Sequence, residues 1–112
     1  MTYRIFIDGA VGTTGLQVHD RLDAHPGVSV AVLDDDMRKD SNARRAMMAE
    51  SDITILCLPD DAAREAAALA EELGARVIDA SSAHRTANDW TYGFAELAPD
   101  AADKIAAARQ IS

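Results

Sequence analysis

The stretch that decides the fold covers residues 3–22 and reads YRIFIDGAVGTTGLQVHDRL. Its first five residues, YRIFI, are apolar apart from Arg4 and typical of a buried strand, and its second half has the apolar spacing of a helix. Between the two lie three glycines in the order G-x-x-G-x-x-G, at Gly9, Gly12 and Gly15. Glycines permit a tight turn, and the free N–H groups of a helix's first turn attract an anion. The stretch therefore predicts a strand, a turn and a helix that together hold the pyrophosphate of a dinucleotide.

The glycine spacing departs from the commoner G-x-G-x-x-G fingerprint of dinucleotide-binding folds. Three glycines at this spacing also fit a strand-to-helix turn that binds no ligand. The position of the motif favours the dinucleotide interpretation, because the motif requires a strand before it and a helix after it, and this stretch supplies both. We assign residues 9–15 to the pyrophosphate.

Length, charge and cysteine content limit the classes of protein that fit. The chain has 112 residues, typical of one domain, which we place at residues 1–112. Its 19 acidic and 11 basic residues leave a net charge of -8, which repels nucleic acids and anionic membranes. One cysteine excludes an internal disulfide and a multi-cysteine metal site. With no bilayer-spanning apolar run and no leader, we expect a cytoplasmic protein without metal, nucleic-acid or membrane partners.

Apolar runs alternate with helical stretches along the whole chain. The runs lie at residues 3–7, 28–33, 53–58 and 77–78. Continuous runs of Val, Ile and Leu are typical of strands covered on both faces, and short right-handed crossovers favour parallel pairing. We therefore predict an α/β fold with a Rossmann-like, doubly wound parallel sheet. Residues 110–112 resemble the start of a fifth strand, so we expect the sheet to be incomplete at its C-terminal end, as in the N-terminal part of a longer protein.

Four helices are predicted from apolar spacing, capping residues and helix propensity. Their bounds are residue 12 or 13 to 22, 42–49, 61–73 and about 98–109. Ser41 or Asn42 is the expected cap of the second helix. The third helix is rich in alanine, with Pro59 ahead of it and Gly74 after it.

In a doubly wound sheet, ligands bind beyond the carboxyl ends of the strands, so the residues that follow each strand are expected to lie together. The second strand is followed by Asp34-Asp35-Asp36-Met37-Arg38-Lys39. An acidic residue here would accept a hydrogen bond from a ribose 2′-OH, and a basic one would pair with a 2′-phosphate. Arg38, Lys39, Arg44 and Arg45 fall within eight residues, which favours the phosphorylated cofactor. Ordinary charge pairing on an exposed helix explains the same cluster equally well.

The third and fourth strands are also followed by polar residues. After the third strand, Asp60 and Asp61 are expected to cap the N-terminus of the next helix. Cys57 is interpreted as structural rather than nucleophilic. After the fourth comes Asp79-Ala80-Ser81-Ser82-Ala83-His84-Arg85-Thr86. The guanidinium of Arg85 suits a phosphate or carboxylate, and the serine hydroxyls can bond that anion or a cofactor. For His84 we favour a local hydrogen bond over catalysis.

In these residues the chain resembles the N-terminal cofactor domain of the N-acetyl-gamma-glutamyl-phosphate reductases of the shorter, second type. The resemblance covers nearly the whole chain in the right order. It rests on IDGAVGTTGLQ at residues 7–17, CLPDDAARE at 57–65, DASSAHRT at 79–86 and YGFAEL at 92–97. Aspartate-semialdehyde dehydrogenases share this layout and are the nearest alternative.

The resemblance implies an NADPH-dependent conversion of N-acetyl-glutamyl 5-phosphate to the 5-semialdehyde, in which a cysteine thiolate attacks the acyl phosphate. NAD in place of NADP stays open, because Asp34 and Arg38 argue in opposite directions. By the same resemblance, Arg85 would bind the substrate phosphate, and the reductase would be a homo-oligomer. The implied cofactor-binding residues are Gly9, Gly12, Thr13, Thr14 and Gly15 at the pyrophosphate, Arg38 and Lys39 at the adenosine phosphate, and Pro59 and Ser81 on the nicotinamide side.

No residue of this chain is assigned to catalysis. In the resembled family the nucleophilic cysteine lies in an Asn-Pro-Gly-Cys stretch after the strand that corresponds to residues 110–112, and Cys57 does not occupy that motif. We therefore expect these residues to be inactive on their own. A nucleotide-sensing module without chemistry is the alternative function. A phosphoacceptor receiver domain fits poorly, because the glycine turn directly follows Asp8.

Overall fold

The structure is a computed structural model that describes residues 3–9, 12–34, 36–37, 39–81, 83–84, 90–91 and 101–112. Strands and helices alternate along these residues as predicted. The elements are β1 (Tyr3–Asp8), α1 (Thr13–Asp23), β2 (Val28–Ala31), α2 (Ser41–Glu50), β3 (Ile53–Leu56), α3 (Asp60–Leu73), β4 (Val77–Asp79), α4 (Ala101–Ala107) and β5 (Gln110–Ile111). None of the helices so described has the length and apolarity needed to cross a membrane.

The five strands form one parallel sheet in the order β2-β1-β3-β4-β5, which confirms the predicted α/β sheet fold. The first strand lies between the second and the third, and Ile5 pairs with Val30 on one side and Ile53 on the other. The chain therefore runs outward from β1 in one direction to β2 and in the other through β3 to β5. This reversal of direction at β1 places a crevice at the carboxyl ends of β1 and β3.

The core lies where α3 packs on the sheet. Phe6, Leu56 and Val77 are almost fully buried and come from three adjacent strands. The helix covers them with alanines spaced three and four residues apart, which place small side chains on one helix face. These alanines are Ala63, Ala66, Ala67 and Ala70. The C-terminus of α3 is closed by Gly74, which has the predicted left-handed conformation, with φ of 69°.

Several strands end at residues other than those predicted, because backbone pairing rather than the apolar run sets their ends. The second strand ends at Ala31 rather than at residue 33, and β3 ends at Leu56 rather than at residue 58, because the apolar residues beyond these points lie outside the ladder. In contrast, β1 and β4 each extend one residue further, to Asp8 and Asp79, because these residues pair with β3. Both added residues are carboxylates, so the apolar pattern alone excluded them.

Helix ends also differ from those predicted. The third begins at Asp60, one residue early. The fourth covers Ala101–Ala107 among the described residues and so ends two residues before the predicted end at 109. The Arg109 carbonyl accepts a hydrogen bond from Val77 N–H at 2.8 Å and so belongs to the approach to β5. Residues 98–100 lie outside the described residues.

The predicted cap of α2 is wrong by one residue. Asp40, not Ser41 or Asn42, precedes the helix in an extended conformation, and its Oδ1 accepts hydrogen bonds from Asn42 N–H at 2.9 Å and Ala43 N–H at 3.4 Å. All three residues are good capping types, so the sequence alone does not discriminate among them. The helix therefore starts at Ser41, with a carboxylate at its N-terminus.

We expect Asp40→Ala to lower the free energy of unfolding by about 1 kcal/mol, because two N–H groups of α2 lose their acceptor. Urea unfolding followed by circular dichroism measures this change. Ser41→Ala is the matched control and should change stability by less than about 0.5 kcal/mol. Equal losses in the two variants would contradict the assignment of the cap.

Candidate functional site

A cavity of about 470 Å³ opens at the carboxyl ends of β1 and β3, where the strand order reverses. Ligands bind at this position in doubly wound sheets, and the volume is within the usual range for small-molecule sites. Its wall combines the ends of the two strands with residues from α2 and α3. The lining residues are Asp8, Gly9, Gly12, Lys39, Ser41, Arg44, Cys57, Leu58, Pro59, Ala62 and Glu65.

Gly9 makes the close approach between the two strands possible. It has φ of 88°, and a Cβ atom added there would lie 2.4 Å from the carbonyl oxygen of Cys57. The Gly12 N–H donates to the Gly9 carbonyl at 3.2 Å, which closes the turn. A side chain at position 9 would therefore overlap the backbone at the end of β3.

The N-terminus of α1 is the part of the site that fits an anion. Its cap residue, Gly12, provides no side-chain hydrogen bond, and the first turn contains no acidic residue. By contrast, Asp40 caps α2, and Asp60 and Asp61 lie in the first turn of α3. Of these three helices, only α1 leaves its positive end uncompensated by a carboxylate.

A smaller cavity of about 170 Å³ lies directly against this helix end. The first intrahelical bond of α1 joins Leu16 N–H to the Gly12 carbonyl at 2.9 Å, so the N–H groups of residues 13–15 have no acceptor within the helix. The cavity is lined by Gly12, Thr13, Thr14, Cys57, Leu58 and Ala80. It shares Gly12, Cys57 and Leu58 with the larger cavity, so the uncapped helix end lies between the two. The residues present therefore fit the diphosphate of a dinucleotide.

A buried ion pair lies in the wall of the larger cavity. The Nε and Nη2 atoms of Arg44 both donate to Oδ2 of Asp8, at 3.0 Å and 2.6 Å. The two side chains are only 4% and 12% exposed, for Asp8 and Arg44 respectively. Burial raises the pKa of Asp8, and the charge and hydrogen bonds of Arg44 lower it in part. The sequence patterns did not predict this pair, although Arg44 belongs to the basic cluster and Asp8 precedes the glycine turn.

Of the other basic residues in the cluster, one forms an ion pair with α3 and one lines the larger cavity. Arg45 pairs with Glu72 of α3 at 2.8 Å, so this residue supports the interpretation as ordinary charge pairing. Lys39 lines the larger cavity and, among the described residues, has no ion-pair partner. Asp34 is exposed, and Arg38 lies outside the described residues.

Cys57 lines both cavities and is half-buried, rather than enclosed in the core. Burial and the nearby carboxylates of Asp8 and Asp79 raise the pKa of its thiol. A thiol is nucleophilic as the thiolate, so this environment opposes covalent catalysis. This agrees with the sequence interpretation, which gave Cys57 no nucleophilic role.

At the end of β4, a buried carboxylate organises the following turn. Asp79 accepts hydrogen bonds from the backbone N–H and the hydroxyl of Ser81, both at 2.9 Å, and it lies 2.7 Å from Nδ1 of His84. The ring of His84 stacks on Trp90, with centroids 4.1 Å apart. The local hydrogen bond predicted for His84 is therefore present. Arg85 lies outside the described residues.

The structure brings together most of the predicted cofactor residues, but not all on the same cavity. Gly9, Lys39 and Pro59 line the larger cavity, and Thr13 and Thr14 line the smaller one. Gly15 is buried inside α1. Ser81 lines neither cavity, although its neighbour Ala80 lines the smaller one, so Pro59 and Ser81 do not share a wall.

Comparison with known proteins identifies the class. The family model described as "Semialdehyde dehydrogenase, NAD binding domain" matches residues 34–105, more than half of the chain. The chain therefore belongs to the family of semialdehyde dehydrogenase NAD-binding domains.

Within this class, the similar curated proteins are N-acetyl-gamma-glutamyl-phosphate reductases. The chain is 46% identical to the enzyme of Trichormus variabilis over 109 aligned residues, and these cover 97% of this chain and 34% of that protein. It is 50% identical over 108 residues to the enzyme of Burkholderia ambifaria, which covers 96% of this chain and 34% of that protein. The chain thus spans about a third of the length of the curated relatives it matches.

Solved structures agree with the fold. Aspartate semialdehyde dehydrogenase from Candida albicans, solved with NADP, matches with a TM-score of 0.76 at 16% identity, over 94% of this chain and 37% of that chain. Aspartate semialdehyde dehydrogenase II from Vibrio cholerae matches with a TM-score of 0.73 at 18% identity, over 99% of this chain and 37% of that chain. At such low identity these matches establish the fold alone.

Proposed function

We propose that this chain is the cofactor-binding part of an N-acetyl-gamma-glutamyl-phosphate reductase and that it binds NADPH. The observation that carries the proposal is the uncapped, acid-free N-terminus of α1 at the crevice between β1 and β3. Identity of 46% and 50% with reductases of that name, over nearly the whole chain, supports the choice of enzyme. The reaction would reduce N-acetyl-glutamyl 5-phosphate to the semialdehyde, in a cytoplasmic homo-oligomer.

The proposed residues divide into four groups. The turn and helix start hold the pyrophosphate, through the N–H groups that α1 leaves without acceptors. Arg38 and Lys39 pair with the adenosine 2′-phosphate, and Arg85 binds the phosphate of the substrate. The pyrophosphate residues are Gly9, Gly12, Thr13, Thr14 and Gly15. For the nicotinamide side we retain Pro59 and Ser81 as predictions.

When bound, the cofactor supplies a hydride to the substrate. The described residues contribute binding and orientation, and we assign none of them to catalysis. Burial and the nearby carboxylates raise the pKa of the Cys57 thiol, which opposes a nucleophilic role, so the covalent step of the reductase is proposed to use a residue outside this chain.

The choice of NADP over NAD is tested by titrating both cofactors against the chain and against Arg38→Ala/Lys39→Ala. We expect the double substitution to weaken NADP+ binding about 10- to 100-fold, because the two lost contacts to the phosphate together contribute about 1.5–3 kcal/mol at an exposed site. Binding of NAD+ should change less than about threefold. Isothermal titration calorimetry measures both constants.

Arg21→Ala is the matched control, because it removes a positive charge at the far end of α1. It should leave both affinities near those of the unmodified chain. Equal NADP+ affinity in the double variant would remove the 2′-phosphate assignment. If the unmodified chain bound neither dinucleotide, the proposed function itself would be wrong.

A further inference from the structure

We infer that Asp8 is a positioning residue that holds the guanidinium of Arg44 as a fixed phosphate donor in the wall of the cofactor cavity. The inference rests on the proposed function, and it adds two residues to the site. Arg44 would bind a phosphate of the dinucleotide directly, and Asp8 would act through Arg44.

The pair of Asp8 and Arg44 borders the larger cavity. Asp8 ends β1 immediately before the turn at Gly9, and Arg44 lies on α2, one helical turn after Ser41. Asp8, Gly9, Ser41 and Arg44 all line the larger cavity. The pair therefore borders the same space as the anion-binding turn, rather than the closed core under α3.

Arg44 has hydrogen-bond donors that Asp8 does not use. A guanidinium has five N–H groups, and the bonds to Oδ2 of Asp8 use two of them. Within the described part of the chain, Asp8 is the only hydrogen-bond partner of this guanidinium. Because Arg44 also lines the cavity, its remaining donors are available to a ligand there. A planar fork with a fixed orientation suits a phosphate oxygen.

Asp8 places a carboxylate beside the proposed phosphate site. A lone carboxylate beside a diphosphate site would oppose binding, and a buried ion pair is often no more stabilising than apolar residues of the same volume. Stability therefore does not explain why a carboxylate lies here. The carboxylate of Asp8 instead restricts the rotation of the long Arg44 side chain, so that binding of a phosphate costs less conformational entropy.

The sign of one substitution separates this role from simple electrostatics. Asp8→Asn removes a negative charge from an anion site, so electrostatics alone predicts tighter dinucleotide binding. If Asp8 positions Arg44, the same substitution weakens NADP+ binding, and we expect a loss of about 10-fold. Asp20→Asn, at an exposed position of α1, removes the same charge away from the cavity and should leave the affinity within about twofold.

Further variants complete the experiment. Arg44→Lys keeps the charge but not the fork, and should also lose about 10-fold. Because Asp8 acts through Arg44, Asp8→Asn should cause no further loss in an Arg44→Gln background. Comparison of NADP+ with NAD+ tells which phosphate is bound, since an equal loss for both indicates the pyrophosphate and a loss for NADP+ alone indicates the 2′-phosphate.

Calorimetric titration gives the affinities, and thermal unfolding shows which variants are folded. Folded Asp8→Asn that binds NADP+ as tightly as the unmodified chain, or more tightly, would overturn the inference and leave the proposed function standing. If Asp8→Asn does not fold, unchanged affinity in Arg44→Lys overturns it instead. Failure of the unmodified chain to bind either dinucleotide would overturn the proposed function and this inference with it.

Discussion

Thr14→Asp should abolish dinucleotide binding while leaving the chain at least as stable as before. Thr14 lies in the first turn of α1, is exposed, and lines the smaller cavity. A carboxylate here would compensate the positive end of the helix and stabilise it by about 0.3–1 kcal/mol. The same carboxylate would repel a diphosphate. Two unit charges about 4 Å apart repel by about 4 kcal/mol at an effective dielectric constant of 20, so affinity should fall about 100-fold or more.

The opposite signs of the two effects make this substitution informative. Calorimetric titration with NADP+ measures the loss of affinity. Urea unfolding shows whether the free energy of unfolding rises or stays the same. Thr14→Asn is the matched control, since it has the same size as aspartate without the charge, and its affinity should change less than about fivefold. Unchanged affinity in Thr14→Asp would show that the anion does not bind at the start of α1.

The second large effect is expected on stability, from Gly9→Ala. A Cβ atom at this position would lie 2.4 Å from the Cys57 carbonyl oxygen, and φ is 88°. The carbonyl cannot move away easily, because the N–H of Cys57 is bonded to the Asp8 carbonyl at 2.8 Å. We expect a loss of about 3 kcal/mol or more, from the positive φ and the overlap together.

Gly74→Ala separates these two causes. Gly74 also has a positive φ, 69°, but a Cβ atom there would meet no atom within 4 Å. It should therefore lose only about 1 kcal/mol, from backbone strain alone. Urea unfolding of both variants gives the comparison. A similar, small loss in both would mean that β1 and β3 do not approach each other as closely as the structure has them.

Much of the fold was predictable because it depends on local patterns. The apolar runs and the glycine turn were sufficient for the parallel sheet, and Gly74 for the end of α3. Other features depend on what the chain meets across space. Asp8 counts as polar in the pattern, yet it belongs to β1 because it pairs with β3. Asp40 caps α2 because of the direction in which the chain enters that helix, which three adjacent capping residues do not reveal.

The same distinction applies to the site. Residues 9–15 were identifiable from spacing, since a turn and the start of a helix are local. The contact between Asp8 and Arg44 joins residues 36 apart and arises only when α2 packs beside β1. The basic cluster was ambiguous for the same reason, because the partner of Arg45, Glu72, is on another helix. The roles of Arg38 and Arg85 remain predictions.

The stacking of His84 on Trp90 has a practical consequence. The chain contains a single tryptophan, so all of its indole fluorescence comes from this one stacked ring. The imidazole is tethered to Asp79 at the end of β4. The next residue, Ala80, lines the smaller cavity and donates its N–H to the Leu56 carbonyl at 2.9 Å. Emission from the indole therefore reports, without any added label, on whether this corner of the sheet keeps its arrangement when a ligand enters.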